Sequence, residues 1–355
     1  MNKFTLPISP EYVAHWGLWE AIREIYQNAL DEQTHDPTCI AKIEYEDDVA
    51  QGILRITTSK GQLSPETLVL GKTSKRDDQD QRGKFGEGYK LALLVLCRLK
   101  THGVEILSGS EKWTARLEHD ETFNSTVLNI YTEPHEEHKG VQFLVGGILP
   151  SDWKMIQKNI HASSKDSKLS WILEEPQEKG RIYVGSLYVS TAKDFHCGYS
   201  FPPGIIKLDR DRGMVNGFDL SYETSRLWVD RKSNRALELL RTQAPDVRYI
   251  EAHASPEKPL VNHQYRYFVA KHGPAAVPVS SQDEIERATS AGMKWVLVPE
   301  TVKTLLRKVK SWFIPSTKTP AERLRAFRES YSWNMDSTML QELDEIIQSL
   351  DPSQP

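Results

Sequence analysis

Residues 83 to 99 read GKFGEGYKLALLVLCRL, three glycines that run directly into a very apolar helical segment, Tyr89 to Leu99. Glycines before a helix let backbone approach a ligand closely. The first-turn N–H groups, with about half a positive charge from the helix dipole, favour a phosphate there. The same glycines would also suit a loop that merely needs tight turns. Two familiar phosphate motifs are excluded by counting. GKTS at Gly71 to Ser74 resembles the end of a P-loop, but Glu66, beside Pro65, stands where its first glycine belongs. The order Gly83-x-x-Gly86-x-Gly88 reverses the dinucleotide fingerprint, and a charged loop, SKRDDQDQR, precedes it instead of a strand.

A second feature lies upstream. Residues 16 to 33 carry Leu18, Ile22, Ile25, Ala29 and Leu30 at three- and four-residue intervals, which predicts a helix. Within it Glu24, Asn28 and Asp31 stand at i, i+4 and i+7, a narrow polar stripe on one face. By itself such a stripe suits a solvated face. A carboxylate beside an amide is also the arrangement that polarises water and holds a hydrated Mg²⁺.

Together, EIYQNALDE and the later LGKTSKRDD and GKFGEGYKLAL resemble the GHKL ATPase superfamily, which includes the gyrase B subunit, MutL, histidine kinases and the ninety-kilodalton heat-shock chaperone. The match covers roughly residues 10 to 150, about two-fifths of the chain. Glu24, Asn28 and Asp31 match the family's Glu-x-x-x-Asn-x-x-Asp motif, and Gly83, Phe85, Gly86 and Gly88 match its glycine box. The resemblance implies a Bergerat-type α+β fold, a two-layer α/β sandwich with a mixed, mainly antiparallel sheet. It implies Glu24 as the general base, Asn28 as a ligand of Mg²⁺, and ATP as the nucleotide. Asp31, Thr73, Ser74, Lys75, Lys84, Glu87, Tyr89 and Lys90 join the glycines as expected nucleotide contacts, in a lid from Gly71 to Gly88. Where the family has Asp-x-Gly-x-Gly, this chain has ITTSKGQ. With Gly61 matching the last glycine, Thr57 replaces the base-binding carboxylate by a weaker, uncharged acceptor. Gly140 and Val141 stand where related proteins often have Gly-Thr.

The remainder reads in order. CIAKIEYEDD and GILRITTS predict a hairpin, and four strands follow at 104–109, 112–118, 125–133 and 140–148, closing an ATP-binding domain at 1–150. A transducer-like α/β domain is expected over 151–255, with GRIYVGSLYVS as one strand. There the resemblance to gyrase and MutL suggests that a cation reaches back to the γ-phosphate, with Arg210 in IIKLDRDRG the choice over a salt-bridged turn. The Pro- and His-richer 256–278 reads as a linker opening a small module over 256–314, whose alternation predicts strand, helix, strand, helix. A C-terminal helix and a disordered tip complete 315–355.

Composition narrows the class. A charge of -4 supplies no global field for nucleic acid, and three widely spaced cysteines form neither a metal pair nor a disulfide framework. With no long apolar run, these features predict a soluble cytoplasmic protein and no membrane. HEEH at 135–138 lacks zinc-peptidase spacing and reads as a solvated turn. The expected function is a slow Mg²⁺-dependent ATPase switch acting on a macromolecular client, protein or DNA, with a nucleotide-dependent homodimer. The alternative is a nucleotide-binding interaction module that does not hydrolyse.

Overall fold

The computed structural model describes residues 1–47, 52–69, 87–99, 103–161, 169–208, 217–315 and 319–350. Two compact units emerge, Met1–Leu227 and Trp228–Pro355. The first contains β1 (Asn2–Leu6), α1 (Leu18–His35), β2 (Ala41–Glu46), β3 (Ile53–Thr58), α2 (Gly88–Arg98), β4 (Val104–Asp120), β5 (Ser125–Gly146) and α3 (Pro150–Lys158). It continues through β6 (Trp171–Leu173), β7 (Arg181–Val184), β8 (Leu187–Thr191) and β9 (Gly198–Phe201), and α4 (Gly217–Val229) crosses the boundary. The chain is α+β with sheets rich in antiparallel pairs.

The five-stranded sheet has the order β1-β5-β3-β2, with β4 on β5, and every described pairing in it is antiparallel. Its organiser is β5, 22 residues long. The segment Leu128–Thr132 pairs with β1, Val141–Gly146 pairs with β3, and β4 runs alongside both. The four strands expected between 104 and 148 are therefore two. Gly109 and the polar run at 134–139 look like chain breaks in sequence, but a register shift between Ser108 and Glu111 absorbs them within a continuous hairpin.

One face of this sheet carries the helices. Leu54 and Ile56 of β3, Phe143 and Val145 of β5, and Val104 and Ile106 of β4 share a buried cluster with Ile22 and Ile25 of α1. Leu91 to Leu96 of α2 are all buried in the same cluster, so α2 has almost no solvent side. At its C-terminal end Arg98 donates to four backbone oxygens, those of Pro10 (3.0 Å), Tyr12 (3.3 Å), Val13 (3.3 Å) and Trp16 (2.6 Å). This guanidinium gathers a loop that includes Val13 at φ 49°, a strained value for a β-branched residue.

The second sheet has the order β6-β9-β7-β8, and β7 runs parallel to β9. GRIYVGSLYVS, expected as one strand, is a hairpin. Gly185 (φ 56°) and Ser186 (φ 71°) both adopt left-handed backbone, the pattern of a two-residue turn.

The second unit holds α5 (Asn234–Arg241), α6 (Ile250–His253), α7 (Pro259–His272), β10 (Val277–Val279), α8 (Gln282–Ser290), β11 (Trp295–Leu297), α9 (Glu300–Val309), α10 (Pro320–Tyr331) and α11 (Ser337–Leu350). The expected strand-helix-strand-helix module is present as β10-α8-β11-α9, its strands parallel. Lys303 of α9 and Glu284 of α8, both buried, tie it together at 3.0 Å. The supposed linker at 256–278 is instead mostly α7. Pro259 opens the helix at a position where no backbone donor is needed, and Leu260, Val261 and Phe268 bury one side.

The Arg98 cluster makes a measurable claim. Arg98→Ala should lower unfolding stability by about 2–3 kcal/mol, and Arg98→Lys should recover only part, because an ammonium lacks the planar fork. Urea denaturation reads both, and an unchanged midpoint for the alanine variant would refute the role.

Candidate functional site

Helix α1 begins at Gly17, whose backbone N–H donates to Glu20 Oε2 at 2.8 Å. Its apolar positions seat it on β2, β3 and α2. The polar stripe does not face solvent. Glu24 is 2% exposed, Asp31 is fully buried and Asn28 is half-buried. Burying two carboxylates costs several kcal/mol unless partners compensate, so this face needs a reason that a core helix lacks.

Part of that compensation is visible at Glu24. Arg23, itself buried, reaches its Oε1 with Nη2 at 3.4 Å, and the Arg23 guanidinium lies 6.0 Å from the Trp16 ring centre. The other oxygen, Oε2, lies only 2.5 Å from where a β-carbon on Gly88 would stand. Gly88 is the first residue of α2, so the glycine admits the carboxylate to the positive end of that helix. The first and last members of two separate sequence motifs, Glu24 and Gly88, thus lie against each other. Asn28 makes no side-chain hydrogen bond among the described residues.

The first turn of α2 holds a further arrangement. Tyr89 Oη lies 2.8 Å from Thr67 Oγ1, and burial pushes its hydroxyl up to about 12. Lys90, fully buried, donates from Nζ to the Val69 carbonyl at 2.7 Å. Burial lowers its amine to about 8, with Glu87 pulling weakly the other way. Thr67 and Val69 precede residue 70, and Glu87 follows residue 86. The described residues on either side of 70–86 therefore meet at one helical turn. Thr73, Ser74, Lys75, Gly83, Lys84, Phe85 and Gly86 lie outside the described residues, as does Arg210.

At the end of β3 the register separates two threonines. Leu54, Ile56 and Thr58 face the helical layer, whereas Thr57 pairs with Lys42 and Gln142 on the opposite face. Thr58 Oγ1 donates to the Lys60 carbonyl at 2.9 Å and accepts from Val141 N–H at 3.3 Å. Gly140 (φ 78°) makes this approach feasible, since a β-carbon there would fall 1.9 Å from the Thr58 carbonyl oxygen. Gly61 (φ 87°) lies in the loop that follows. Buried Ser108 of β4 accepts from Leu63 N–H at 2.8 Å beside them. Sequence reasoning singled out neither Thr58 nor Arg23, although the parity of Leu54 and Ile56 places Thr58 on the buried face of β3.

Among the described residues no group of three or more His, Cys, Asp or Glu could cage a metal, and HEEH is a solvated part of β5. A lone amide such as Asn28 fits a Mg²⁺ whose remaining ligands are phosphate oxygens and water.

Lys90 gives the site a pH signature. Its amine titrates at about 8 in the folded chain and near 10.5 when unfolded, so below pH 8 the buried charge opposes folding. As pH rises from 8 toward 10.5 the unfolded chain alone holds the proton, and the group's penalty is relieved. Stability of the wild type relative to Lys90→Met should therefore increase between about pH 7 and about pH 9.5. Parallel urea titrations test this, and an identical pH dependence for both proteins would contradict it.

No family model matches the sequence, and no curated protein matches it. Among solved structures, it is similar to the ATPase region of Saccharomyces cerevisiae topoisomerase II, at 10% identity and TM-score 0.37, over 56% of this chain and 76% of that one. A second structure of that region, bound to ICRF-187 (dexrazoxane), gives 10% identity, TM-score 0.36, and coverage of 56% and 77%. At that identity, and with both scores below 0.5, the likeness carries no weight in assigning a function.

Proposed function

We propose that residues 1–150 form an ATP-binding domain that hydrolyses ATP slowly and serves as a nucleotide-gated switch for the rest of the chain. The observation that carries this reading is the buried Glu24 carboxylate seated against Gly88 at the start of α2. A base and an anion-favouring helix terminus there share one location inside an otherwise apolar layer.

In this reading the phosphates lie at the first turn of α2, enclosed by the 71–88 lid with Thr73, Ser74, Lys75, Lys84 and Lys90 supplying donors. Glu24 accepts a proton from water as the water oxygen bonds to the γ-phosphorus, and ADP leaves. Asn28 holds Mg²⁺, which when bound neutralises charge on the phosphates. Arg210, from a transducer-like segment at 151–255, adds a cation at the γ-phosphate. The module at 256–314 and the helices at 315–355 carry the response to a macromolecular client.

One contact favours the second reading, a binding module without useful hydrolysis. Arg23 already engages Glu24 Oε1, which leaves that oxygen less accessible to an attacking water. Calorimetry with ATP, ADP and GTP plus Mg²⁺ separates the cases from a protein with neither function. Wild type should bind ATP, and Asn28→Ala should bind at least about tenfold more weakly. Phosphate release should fall about a hundredfold or more in Glu24→Ala if Glu24 is the base. Retained binding with an unchanged rate supports the module reading, and no heat with any nucleotide sinks both.

For the base contact this reading takes Thr58, on the helical face of β3, in place of Thr57 on the opposite face. Thr58 commits its proton to Lys60 and can only accept, which suits an exocyclic amino group and not a carbonyl. Thr58→Val should weaken ATP binding by about 2–10-fold and narrow the ATP-over-GTP preference, while Thr57→Val leaves both unchanged. The reverse ranking in the same titration would restore Thr57 as the contact.

A further inference from the structure

The C-terminal helices leave one apolar face open. At about 100° per residue, Met339, Leu340, Leu343, Ile346, Ile347 and Leu350 of α11 cover a continuous arc of roughly 120°. Helix α10 covers only one side of it. Ile347 is buried and Leu340 and Leu343 are half-buried, but Met339, Ile346 and Leu350 are 46–57% exposed. Met339, Leu343, Ile346 and Leu350 step by four, three and four residues, the spacing of a helix that packs against another helix.

A short connection turns the two helices antiparallel, and an exposed ion pair joins them, with Arg328 Nη2 donating to Asp344 Oδ2 at 2.8 Å. In that arrangement the exposed side of α10 faces the same way as that of α11. It carries Phe327 and Tyr331, both exposed, with ring centroids 5.0 Å apart. The hairpin therefore presents a single apolar face spanning both helices. Its edges differ in sign. Beyond the α11 stripe stand Glu342 and Glu345, and beyond Phe327 on α10 stands Arg323. None of these three is in an ion pair among the described residues.

We propose that this face binds a second copy of the chain, forming a four-helix bundle across a two-fold axis parallel to the helices. That axis sets α10 of one copy over α11 of the other and lays each acidic edge along the partner's basic edge. A two-fold axis across the helices would instead stack α11 on α11, acid against acid. An unrelated partner would have to reproduce both the stripe and the sign pattern that the hairpin already offers to itself.

The helices have 12 and 14 residues, about 20 Å of length. Side by side they offer roughly 400 Å² per copy, or about 800 Å² in total, below the range of stable interfaces and in that of weak, transient ones. Association should accordingly be weak, with a dissociation constant on the order of micromolar.

Sedimentation velocity on the full chain without nucleotide tests this, over about 5 to 200 µM. Wild type should shift from monomer to dimer across that range. Met339→Glu combined with Ile346→Glu should remain monomeric throughout, with its helical melting curve retained. Arg323→Glu should weaken association by about fivefold, and adding Glu342→Arg and Glu345→Arg should restore it. A wild type that stays monomeric, or dimerises only when ATP is present, overturns the proposal. So does a dimer that survives the double substitution, or an edge reversal without rescue.

Discussion

Burial of Glu24 and Asp31 is the constraint on which the first unit depends. Two carboxylates inside an apolar layer need compensation, and at Glu24 Arg23 supplies part of it on one oxygen, while the other lies close against Gly88 at the start of α2. Position 88 must then lack a side chain, because any β-carbon would meet the carboxylate. The glycine that looked like loop chemistry is also a packing requirement set by a helix sixty residues earlier. Helix α2, with Leu91 to Leu96 all buried, packs between α1 and the sheet.

The surrounding elements follow from that placement. The sheet gains a continuous apolar face because β5 is long enough to pair with β1 at one end and β3 at the other. The first turn of α2 ties the residues that precede position 70 to itself, Thr67 through Tyr89 and Val69 through Lys90. The cost is a buried amine whose proton is held less tightly than in water.

In the second unit the buried charge is used differently. Lys303 and Glu284 neutralise each other within the β10-α8-β11-α9 module, so the pair joins two helices and leaves no unmet demand. At the C-terminal hairpin the demand is apolar instead: α10 is too narrow a cover for the arc of α11.

Local pattern determined a good deal. The three- and four-residue spacing of Leu18, Ile22, Ile25 and Ala29 specifies α1, and the alternation in 277–309 specifies two strands and two helices, because both are short-range signals of which side is buried. That the Glu24 and glycine motifs belong together was suggested only by the family resemblance, since each alone also suits a solvated face or a tight loop. Other features needed the tertiary structure. Gly109 and the 134–139 run look like breaks, and only the pairing of β4 with β5 shows that a bulge carries the strands through them. Gly185 and Ser186 reverse the chain where alternation suggested one strand, since a two-residue turn barely interrupts the pattern. Whether the Glu24 stripe faced water, and whether Thr57 or Thr58 faced the helices, depended on which surface another element covers. A sequence records the periodicity of a face, but burial is decided by what the distant chain lays upon it.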